Sequence, residues 1–512
     1  MIFTATFLTS CVKLLLIPAY RSTDFEVHRN WMAITHSLPI KKWYFENTSE
    51  WTLDYPPLFA YFEYFLSHIA SFFDKNMLVV ENLNYASDET IIFQRLSVIL
   101  TDLVYAYGTY RCCCSFQKSW RADVVLPILL ITNCGLIMVD HIHFQYNGIL
   151  YGILLISISC MIREEYEASA FWFAFLLNMK HIYIYLAPAY FVYLLKNYCL
   201  KGGPNIKYIL PKLAIKKFLS LGTIVTIVFL ITFLPFYDQL GQVFSRMFPF
   251  KRGLCHAYWA PNFWAVYNSL DKFTYLCLSR AGFFLRKNPV ASMTGGLVQE
   301  FSHQVLPNIT PLMTICLTGL TMLPALAKLW TLNKHPSNFL RCIVLCALSS
   351  FLFGWHVHEK AILMAIIPLS ILAVMDMNDA KIFLLLGVVG HYSLFPLLFP
   401  TSLLLIKVLL LILYSTYSFH SLSKIYPFTF CNYSFPLLNL WESVYILGLS
   451  VIFLYENFVH HVLGMSDKLP YLPLLLTSLY CSVGILYAWV LFYVRFLTRT
   501  NDVTVKSNKK IQ

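Results

Sequence analysis

Long runs of apolar residues, separated by short polar segments, follow one another along almost the whole chain. The runs from Phe218 to Tyr237 and from Ile382 to Phe399 contain no charged residue, and about 20 apolar residues are enough for a helix to cross the ~30 Å hydrocarbon core of a bilayer. The pattern predicts an all-α polytopic membrane protein with about fourteen transmembrane helices. The predicted spans are residues 2–20, 91–113, 124–139, 147–162, 168–179, 182–196, 217–237, 307–331, 340–354, 360–375, 381–399, 402–419, 437–458 and 471–497.

The composition agrees with lipid as the main solvent of this chain. Apolar residues make up 58% of the 512 residues and charged residues only 12%, whereas soluble domains carry about 25% charged residues. The segment from Met1 to Tyr20 has no basic start and no small-residue cleavage site, so it is predicted to be a retained first helix. Most of the 14 cysteines lie in apolar runs, which argues against a disulfide framework.

An uneven distribution of charge orients the predicted helices. The stretch from Lys196 to Lys217 holds six lysines and no acid, which indicates a cytosolic loop. The loop 21–90 carries ten acids against five lysines or arginines, and with fourteen spans it is lumenal while both termini are cytosolic. The loop 238–306 is also lumenal by this count, although it holds seven lysines or arginines. Either this long loop crosses regardless of its charge, or some of its cations meet an anionic ligand.

The unusual polar motifs collect on the predicted lumenal side. Ionisable groups at membrane depth are costly and usually serve function, and several of them on one side indicate a single site at the membrane–lumen boundary. A transporter would also gather such groups, but we would then expect repeat symmetry and polar residues at mid-membrane, which the sequence lacks. The motifs are Asp24-Phe25-Glu26, Asp54-Tyr55-Pro56-Pro57, residues 140–147 (DHIHFQYN), Lys180-His181 and residues 356–360 (HVHEK).

Two acidic motifs have competing interpretations. Asp54 precedes two prolines that restrict the backbone and prevent a helix from running through it. This arrangement suits a catalytic carboxylate held in one place, or else an N-cap for a helix that begins at Pro57. The pair Asp24 and Glu26 is either a solvated loop pair or a group that binds a sugar or a metal ion.

The basic and aromatic motifs also have competing interpretations. The histidine spacing of i, i+2 lacks the helical pattern of a zinc site, so hydrogen bonding or phosphate contact is the preferred interpretation for His141/His143 and His356/His358. Lys360 and Arg252 are phosphate-binding candidates, or lysine and arginine side chains that reach the surface. The run 258–264 (YWAPNFW) either stacks on sugar or anchors the chain at the membrane interface.

Six motifs together carry a family resemblance that covers nearly the whole chain: residues 22–31 (STDFEVHRNW), 51–57 (WTLDYPP), 139–148 (VDHIHFQYNG), 248–254 (FPFKRGL), 353–360 (FGWHVHEK) and 390–396 (GHYSLFP). The chain resembles the dolichyl-phosphate-glucose-dependent α-1,3-glucosyltransferases of the endoplasmic reticulum, which complete the lipid-linked oligosaccharide for protein N-glycosylation. Residues 255–264 (CHAYWAPNFW) and Gly354-Trp355-His356 are similar to the member that adds the second glucose, to Glc1Man9GlcNAc2-diphosphate-dolichol. The alternative is the member that adds the first glucose to Man9GlcNAc2-diphosphate-dolichol, and a lipid or solute transporter is a more remote one.

The resemblance implies a fold and an organisation. The fold is that of the membrane glycosyltransferase C class, with lumenal loop helices. Residues 1–237 would form a conserved catalytic membrane module of about seven helices that carries the large lumenal loop 21–90. Residues 238–306 would form a second lumenal loop, and residues 307–512 a variable membrane module with a cytosolic tail.

The resemblance also implies a mechanism and a cellular location. Transfer from β-linked dolichyl-phosphate-glucose to an α-linked product inverts the anomeric centre, and inversion in one step requires a base on the acceptor hydroxyl. Asp54 matches the catalytic aspartate. The donor phosphate would be bound by His358, Lys360 and Arg252, and the sugar held or the base oriented by Asp24, Glu26, Asp140 and His143. The chain would reside in the endoplasmic reticulum membrane with its active site facing the lumen.

The expected partners are the dolichyl-phosphate-glucose donor, the dolichyl-diphosphate-linked oligosaccharide acceptor and the lipid bilayer, without nucleic acid. No metal ligands are assigned, but Asp24-x-Glu26 resembles the acidic pair that binds metal in some relatives, so a divalent metal cofactor stays open. Glycosylation sequons at Asn47 and Asn308 lie on predicted lumenal loops, and one at Asn432 lies on a predicted cytosolic loop. Lys509-Lys510 near the carboxyl end resembles a dilysine retrieval signal.

Overall fold

The computed structural model of the chain describes residues 1–116, 119–201, 212–248, 253–255, 259–283, 303–429, 431 and 433–501. The phosphate-binding candidate Arg252, the sequon residue Asn432, and Lys509 and Lys510 lie outside the described residues. Within them the regular secondary structure is helical, apart from one antiparallel ladder of two residues a side that joins β1 (Leu200–Lys201) to β2 (Lys212–Leu213).

The described residues form twenty α-helices. The first eleven are α1 (Ile2–Leu15), α2 (Thr23–Ser37), α3 (Pro57–Ala70), α4 (Asp88–Cys113), α5 (Leu126–Ile131), α6 (Cys134–Leu136), α7 (Asn147–Ile162), α8 (Tyr166–Met179), α9 (Ala187–Leu194), α10 (Ile215–Phe233) and α11 (Leu240–Met247). The others are α12 (Phe263–Arg280), α13 (Pro311–Thr331), α14 (Pro336–Phe353), α15 (Leu363–Ala373), α16 (Met377–Tyr392), α17 (Leu404–Ile425), α18 (Leu440–Leu454), α19 (His460–Val462) and α20 (Leu472–Thr498).

Several α-helices continue into tighter or wider turns. The 3₁₀ segments are Ile40–Lys42, Lys75–Leu78, His181–Leu186, Leu234–Gln239, Glu359–Ile362, Phe395–Leu397 and Thr401–Leu403. The π-helical segments are Arg121–Val125, Ile137–Phe144, Leu195–Cys199 and Tyr455–Val459. Wide turns of this kind often occur at functional sites, and Ile137–Phe144 contains the Asp140, His141 and His143 positions of the sequence analysis.

Nine helical stretches in the described part of the chain are long and apolar enough to cross a membrane. They are Asp88–Cys113, Asp123–Phe144, Ile215–Met247, Pro311–Thr331, Pro336–Phe353, Met377–Leu397, Thr401–Ile425, Leu440–Val462 and Leu472–Thr498. The predicted count of about fourteen is not confirmed. Two of the remaining predicted spans form the apolar helices α1 and α7, of 14 and 16 residues, and at 1.5 Å per residue these reach only about 21–24 Å.

The chain divides into two compact units, Met1–Pro249 with Pro400–Leu403, and Phe250–Phe399 with Leu404–Gln512. In the first unit α4 packs closely against α7 at Gly108 and Gly152. A Cβ atom on Gly152 would lie 2.6 Å from the backbone nitrogen of Tyr105, and one on Gly108 would lie 2.5 Å from the carbonyl oxygen of Gly152. Glycine at both positions lets the two backbones touch, as is common where membrane helices cross.

Buried ion pairs join helices within each unit. In the first unit, Lys13 of α1 and His141 contact the same carboxylate oxygen of Asp102 on α4, at 2.5 and 2.7 Å. In the second unit, Arg341 of α14 donates to Asp379 of α16 at 2.6 Å. Because breaking a buried pair leaves an uncompensated charge, these contacts constrain how the helices pack.

Candidate active site

Helix α2, which carries Asp24 and Glu26, begins at the predicted site. The hydroxyl of Ser22 caps the helix by accepting a hydrogen bond from the backbone N–H of Asp24, and it also donates to the carbonyl oxygen of His143 at 2.6 Å. The backbone N–H of Ser22 donates to the same carbonyl oxygen. The N-terminus of α2, which carries Asp24, is therefore fixed to the end of the π-helical segment Ile137–Phe144.

The turn that carries Asp54 is fixed by a hydrogen bond to its backbone and not by a helix cap. Helix α3 begins at Pro57, its N-cap residue is Pro56, and the cap has no side-chain hydrogen bond. The alternative that Asp54 serves as an N-cap is therefore wrong. The buried Tyr44 hydroxyl instead donates to the carbonyl oxygen of Tyr55 at 2.7 Å, which fixes the residue directly after Asp54.

The aromatic ring of Tyr55 is the centre of a group of side chains beside Asp54. Its ring centre lies 4.9 Å from those of Trp31 and Phe59, and the ammonium of Lys180 lies 4.9 Å above the ring. Burial, and secondarily the charge of Asp54, raise the pKa of the Tyr55 phenol well above its usual value. The phenol therefore keeps its proton at neutral pH and can donate a hydrogen bond.

A chain of hydrogen bonds runs from Asp24 to Lys180. Gln145 donates to Asp24 Oδ2 at 2.7 Å, and His143 Nε2 lies 3.2 Å from the same oxygen. Asn147 donates to Gln145 Oε1 at 2.7 Å and accepts from the Lys180 ammonium at 3.1 Å. Residues 24, 143 and 180, which are far apart in sequence, thus meet in one polar network.

Asp140 is completely buried and caps a helix. Its two carboxylate oxygens accept from the Asn147 side-chain amide at 2.9 Å and from the backbone N–H of Gly148 at 2.6 Å, in the first turn of α7. Backbone N–H groups at a helix N-terminus need such acceptors. Asp140 therefore positions Asn147, and the substrate-binding role predicted for it stays a prediction.

Glu26 forms a two-pronged ion pair within α2. Arg29 donates from Nε and Nη2 to the two Glu26 oxygens, both at 2.7 Å, and from Nη1 to the Met77 carbonyl oxygen at 2.7 Å. Both Glu26 oxygens thus accept from Arg29, which balances the charge of this carboxylate inside α2. Among the described residues no group of three or more His, Cys, Asp or Glu side chains is arranged to hold a metal.

A buried arginine on α4 holds the π-helical segment. Arg95 donates to the carbonyl oxygens of Tyr20, His141 and Ile142 at 2.8–3.1 Å, and its guanidinium lies 5.5 Å from the ring centre of Phe144. Together with the contact between His141 and Asp102, Arg95 determines where the segment presents His143.

The second unit holds the turn that carries His358 and Lys360. His356 has a positive φ of 50°, its backbone N–H donates to the Leu254 carbonyl oxygen at 3.0 Å, and its Nδ1 donates to the Gly253 carbonyl oxygen at 2.8 Å. His358 is the N-cap residue of the 3₁₀ segment Glu359–Ile362 but makes no side-chain cap. Lys360, on that segment, is half-buried.

The structure thus joins Asp24, Asp140 and His143 in one network of the first unit, with Asp54 one residue from Tyr55 at its edge. His358 and Lys360 share one turn of the second unit. Three residues of the network had not been selected from the sequence as site residues, namely Gln145, Asn147 and Lys180. Each lies in a polar motif at the end of an apolar run, which is the signal that could have selected it.

The described residues define a helical, membrane-embedded protein with an ionisable network at the ends of its helices. The model of the ALG6, ALG8 glycosyltransferase family matches residues 9–492 of the chain. The chain belongs to this family, and it is an enzyme of the glycosyltransferase class.

Curated relatives match over nearly the full length. A Mus musculus protein named dolichyl pyrophosphate Glc1Man9GlcNAc2 alpha-1,3-glucosyltransferase is 52% identical over 502 residues, which cover 95% of this chain and 94% of the mouse protein. Proteins of the same name from Bos taurus and Arabidopsis thaliana are 51% and 45% identical. The alignments cover 98% of this chain and 95% of the bovine protein, and 96% of both chains for the plant protein.

Proposed function

We propose that the chain transfers glucose from dolichyl-phosphate-glucose to Glc1Man9GlcNAc2-diphosphate-dolichol in an inverting α-1,3 transfer. The observation that carries this proposal is the 52% identity, over nearly both full lengths, to the mouse protein whose name specifies the Glc1Man9GlcNAc2 substrate. The same names favour addition of the second glucose over the alternative acceptor Man9GlcNAc2-diphosphate-dolichol.

Asp54 is the proposed general base. It would remove the proton from the attacking hydroxyl of the acceptor while the phosphate leaves from the opposite face of the glucose ring. An inverting glycosidase needs a second carboxyl group to protonate its leaving alcohol. A phosphate monoester, with its last pKa near about 6, needs no such acid. The turn before Pro57 supports this role because Tyr44 and the two prolines restrict the backbone next to Asp54.

The other acidic residues of the proposed site differ in how far their side chains are exposed. Asp24 has 24% of its side chain exposed and takes the proposed role of a sugar contact, with His143 as its neighbour. Glu26 and Asp140 take the proposed role of positioning Asp24. Their oxygens accept hydrogen bonds from Arg29, Asn147 and Gly148.

Phosphate binding is assigned to the turn of the second unit. His358 and Lys360 can offer hydrogen bonds or positive charge to a phosphate, and such groups stabilise charge that develops on a leaving group. The contacts of His356 with Gly253 and Leu254 support this role, because they hold the backbone of the turn. Arg252 keeps the same proposed role on the sequence motif alone.

The proposed setting is the endoplasmic reticulum membrane, with the active site on the lumenal side. The proposed fold is of the glycosyltransferase C type, with about fourteen spans in a catalytic module (1–237), a lumenal loop (238–306) and a variable module (307–512). The nine long apolar helices of the described residues support a multi-pass membrane protein.

The function is tested with purified enzyme, labelled dolichyl-phosphate-glucose and two acceptors in parallel, Glc1Man9GlcNAc2- and Man9GlcNAc2-diphosphate-dolichol. We expect glucose transfer and dolichyl phosphate release with the first acceptor, and little of either with the second. Preference for Man9GlcNAc2 would contradict the proposed acceptor and leave the chemistry intact. Release of dolichyl phosphate without any acceptor would contradict the transferase mechanism.

The lumenal position of the loop 21–90 predicts a glycan on Asn47. Asn47 is exposed in the loop between α2 and α3 and heads an Asn-Thr-Ser sequon. Cells with an active glycosylation pathway should yield a glycosidase-sensitive protein whose mobility shift is reduced in Asn47→Gln and lost when Asn308→Gln is added. A shift that persists in Asn47→Gln and is lost in Asn432→Gln would contradict the proposed topology.

A further inference from the structure

A histidine and a glutamate are buried together between α2 and α3. His28 Nδ1 lies 2.7 Å from Glu63 Oε1, and the side chains are 4% and 0% exposed. Within the described residues, the second oxygen of Glu63 has no hydrogen-bond partner. The contact with His28 is therefore the hydrogen bond that compensates the buried Glu63 carboxyl. Burial raises the pKa of Glu63, and the hydrogen bond and charge of His28 act in the opposite direction.

Packing alone does not account for this pair. Replacing a buried ion pair by apolar residues of similar volume is often neutral or stabilising, and His28 is already surrounded by rings. Its ring centre lies 5.0–5.8 Å from those of Trp31, Phe59, Phe144 and Tyr146. An aromatic residue would fit there, so an ionisable pair at this place indicates a role in function.

The position of the pair indicates what that role is. His28 lies one helical turn after Asp24 on α2, and Glu63 lies on α3, which begins three residues after Asp54. Helix α2 thus carries Asp24, the proposed sugar contact, and α3 directly follows the turn of Asp54, the proposed base. His28 also lines one narrow recess with Tyr55, Gln145 and Lys180, so the pair borders the network described above.

We propose that His28 and Glu63 are positioning residues of the active site, whose hydrogen bond sets the position of the Asp24 helix relative to the Asp54 turn. The inference rests on the proposed function, because it takes Asp54 as the base. A hydrogen bond has a preferred length and direction, whereas an apolar contact tolerates small shifts. A displacement of about 1 Å at a catalytic group can lower the rate by about 10²-fold.

The test compares four variants of the full-length enzyme with wild type in the two-substrate assay, with melting temperature measured for each. His28→Phe and Glu63→Leu remove one partner, the double variant removes both, and Glu63→Gln keeps an oxygen that can accept from His28. We expect kcat to fall at least about tenfold in both single variants and in the double variant, with KM changed less than about threefold. Glu63→Gln should retain most of the turnover, and the double variant should melt near the wild-type temperature.

His36→Phe is the matched control. His36 lies on the same helix eight residues further on, about 12 Å away, and its ring contacts Ser67 of α3 at 3.2 Å. His36→Phe removes a hydrogen bond that an exposed histidine makes between the same two helices and should leave kcat unchanged.

Four results would overturn the inference: wild-type kcat in His28→Phe, in Glu63→Leu or in the double variant, or loss of turnover in a folded Glu63→Gln. If His28→Phe or Glu63→Leu does not fold, Glu63→Gln and the double variant still decide between these outcomes. Failure of the proposed function looks different, because the wild-type enzyme itself would then not glucosylate Glc1Man9GlcNAc2-diphosphate-dolichol.

Discussion

Asp54→Asn is expected to lower the turnover of dolichyl-phosphate-glucose with Glc1Man9GlcNAc2-diphosphate-dolichol by about 10²–10⁴-fold, the usual cost of losing a general base. Asparagine keeps the size of the side chain but cannot accept the proton of the attacking hydroxyl. The helix cap that follows does not involve the Asp54 side chain, so α3 should form normally. The measurement is single-turnover and steady-state transfer by purified enzyme, together with binding of the donor lipid.

Controls separate this effect from general damage. Glu50→Gln changes an exposed carboxylate of the same loop and should retain wild-type turnover. The turnover of Asp24→Asn should fall between those of Glu50→Gln and Asp54→Asn, because it weakens the proposed sugar contact without removing the proposed base. His358→Ala should mainly weaken the proposed binding of the donor phosphate. Near wild-type turnover by Asp54→Asn would mean that another group removes the proton, and the mechanism proposed here would be wrong.

Asp140→Ala is expected to destabilise the enzyme by at least about 1–3 kcal/mol, the cost of a buried donor left unsatisfied. The change removes an acceptor from two buried donors, the Gly148 backbone N–H and the Asn147 side-chain amide, both at the start of α7. The second of them keeps its hydrogen bond to Gln145. The measurement is thermal unfolding in detergent, followed by the yield of folded protein.

Asp88→Ala is the matched control, because Asp88 is an exposed acid in the first turn of α4 and its loss should cost well under 1 kcal/mol. If Asp140→Ala melted like wild type but bound acceptor poorly, Asp140 would be a substrate contact, as the sequence analysis predicted. A lower melting temperature with an unchanged KM in the folded fraction would confirm the helix-capping role.

The Asp54 turn shows how far local sequence reasoning reaches. Two consecutive prolines restrict the backbone wherever they occur, so a fixed carboxylate at Asp54 could be predicted without a structure. The choice between a catalytic residue and an N-cap could not be made, because it depends on where α3 begins and on whether the side chain bonds to it. The structure decided that the cap is Pro56.

The pair Glu26 and Arg29 shows a signal that was present and not used. Residues three apart on a helix lie on the same face and form ion pairs, so the contact of Glu26 with Arg29 could have been predicted once α2 was assigned. The further contact of Arg29 with the Met77 carbonyl oxygen, 48 positions along the chain, could not, because it depends on how the loop folds back.

The sequence by itself determined that this chain is a multi-pass membrane protein, which family it belongs to, and which short polar motifs interrupt its apolar runs. These properties depend on composition, on the length of apolar runs and on local motifs, which a single sequence displays directly. Only the tertiary structure decided the partners of those motifs: Asp24 with Gln145, Lys180 with Tyr55 and Asn147, Asp140 with the start of α7, and His28 with Glu63. Most of these contacts join residues that are dozens of positions apart, and the packing of whole helices against one another selects them.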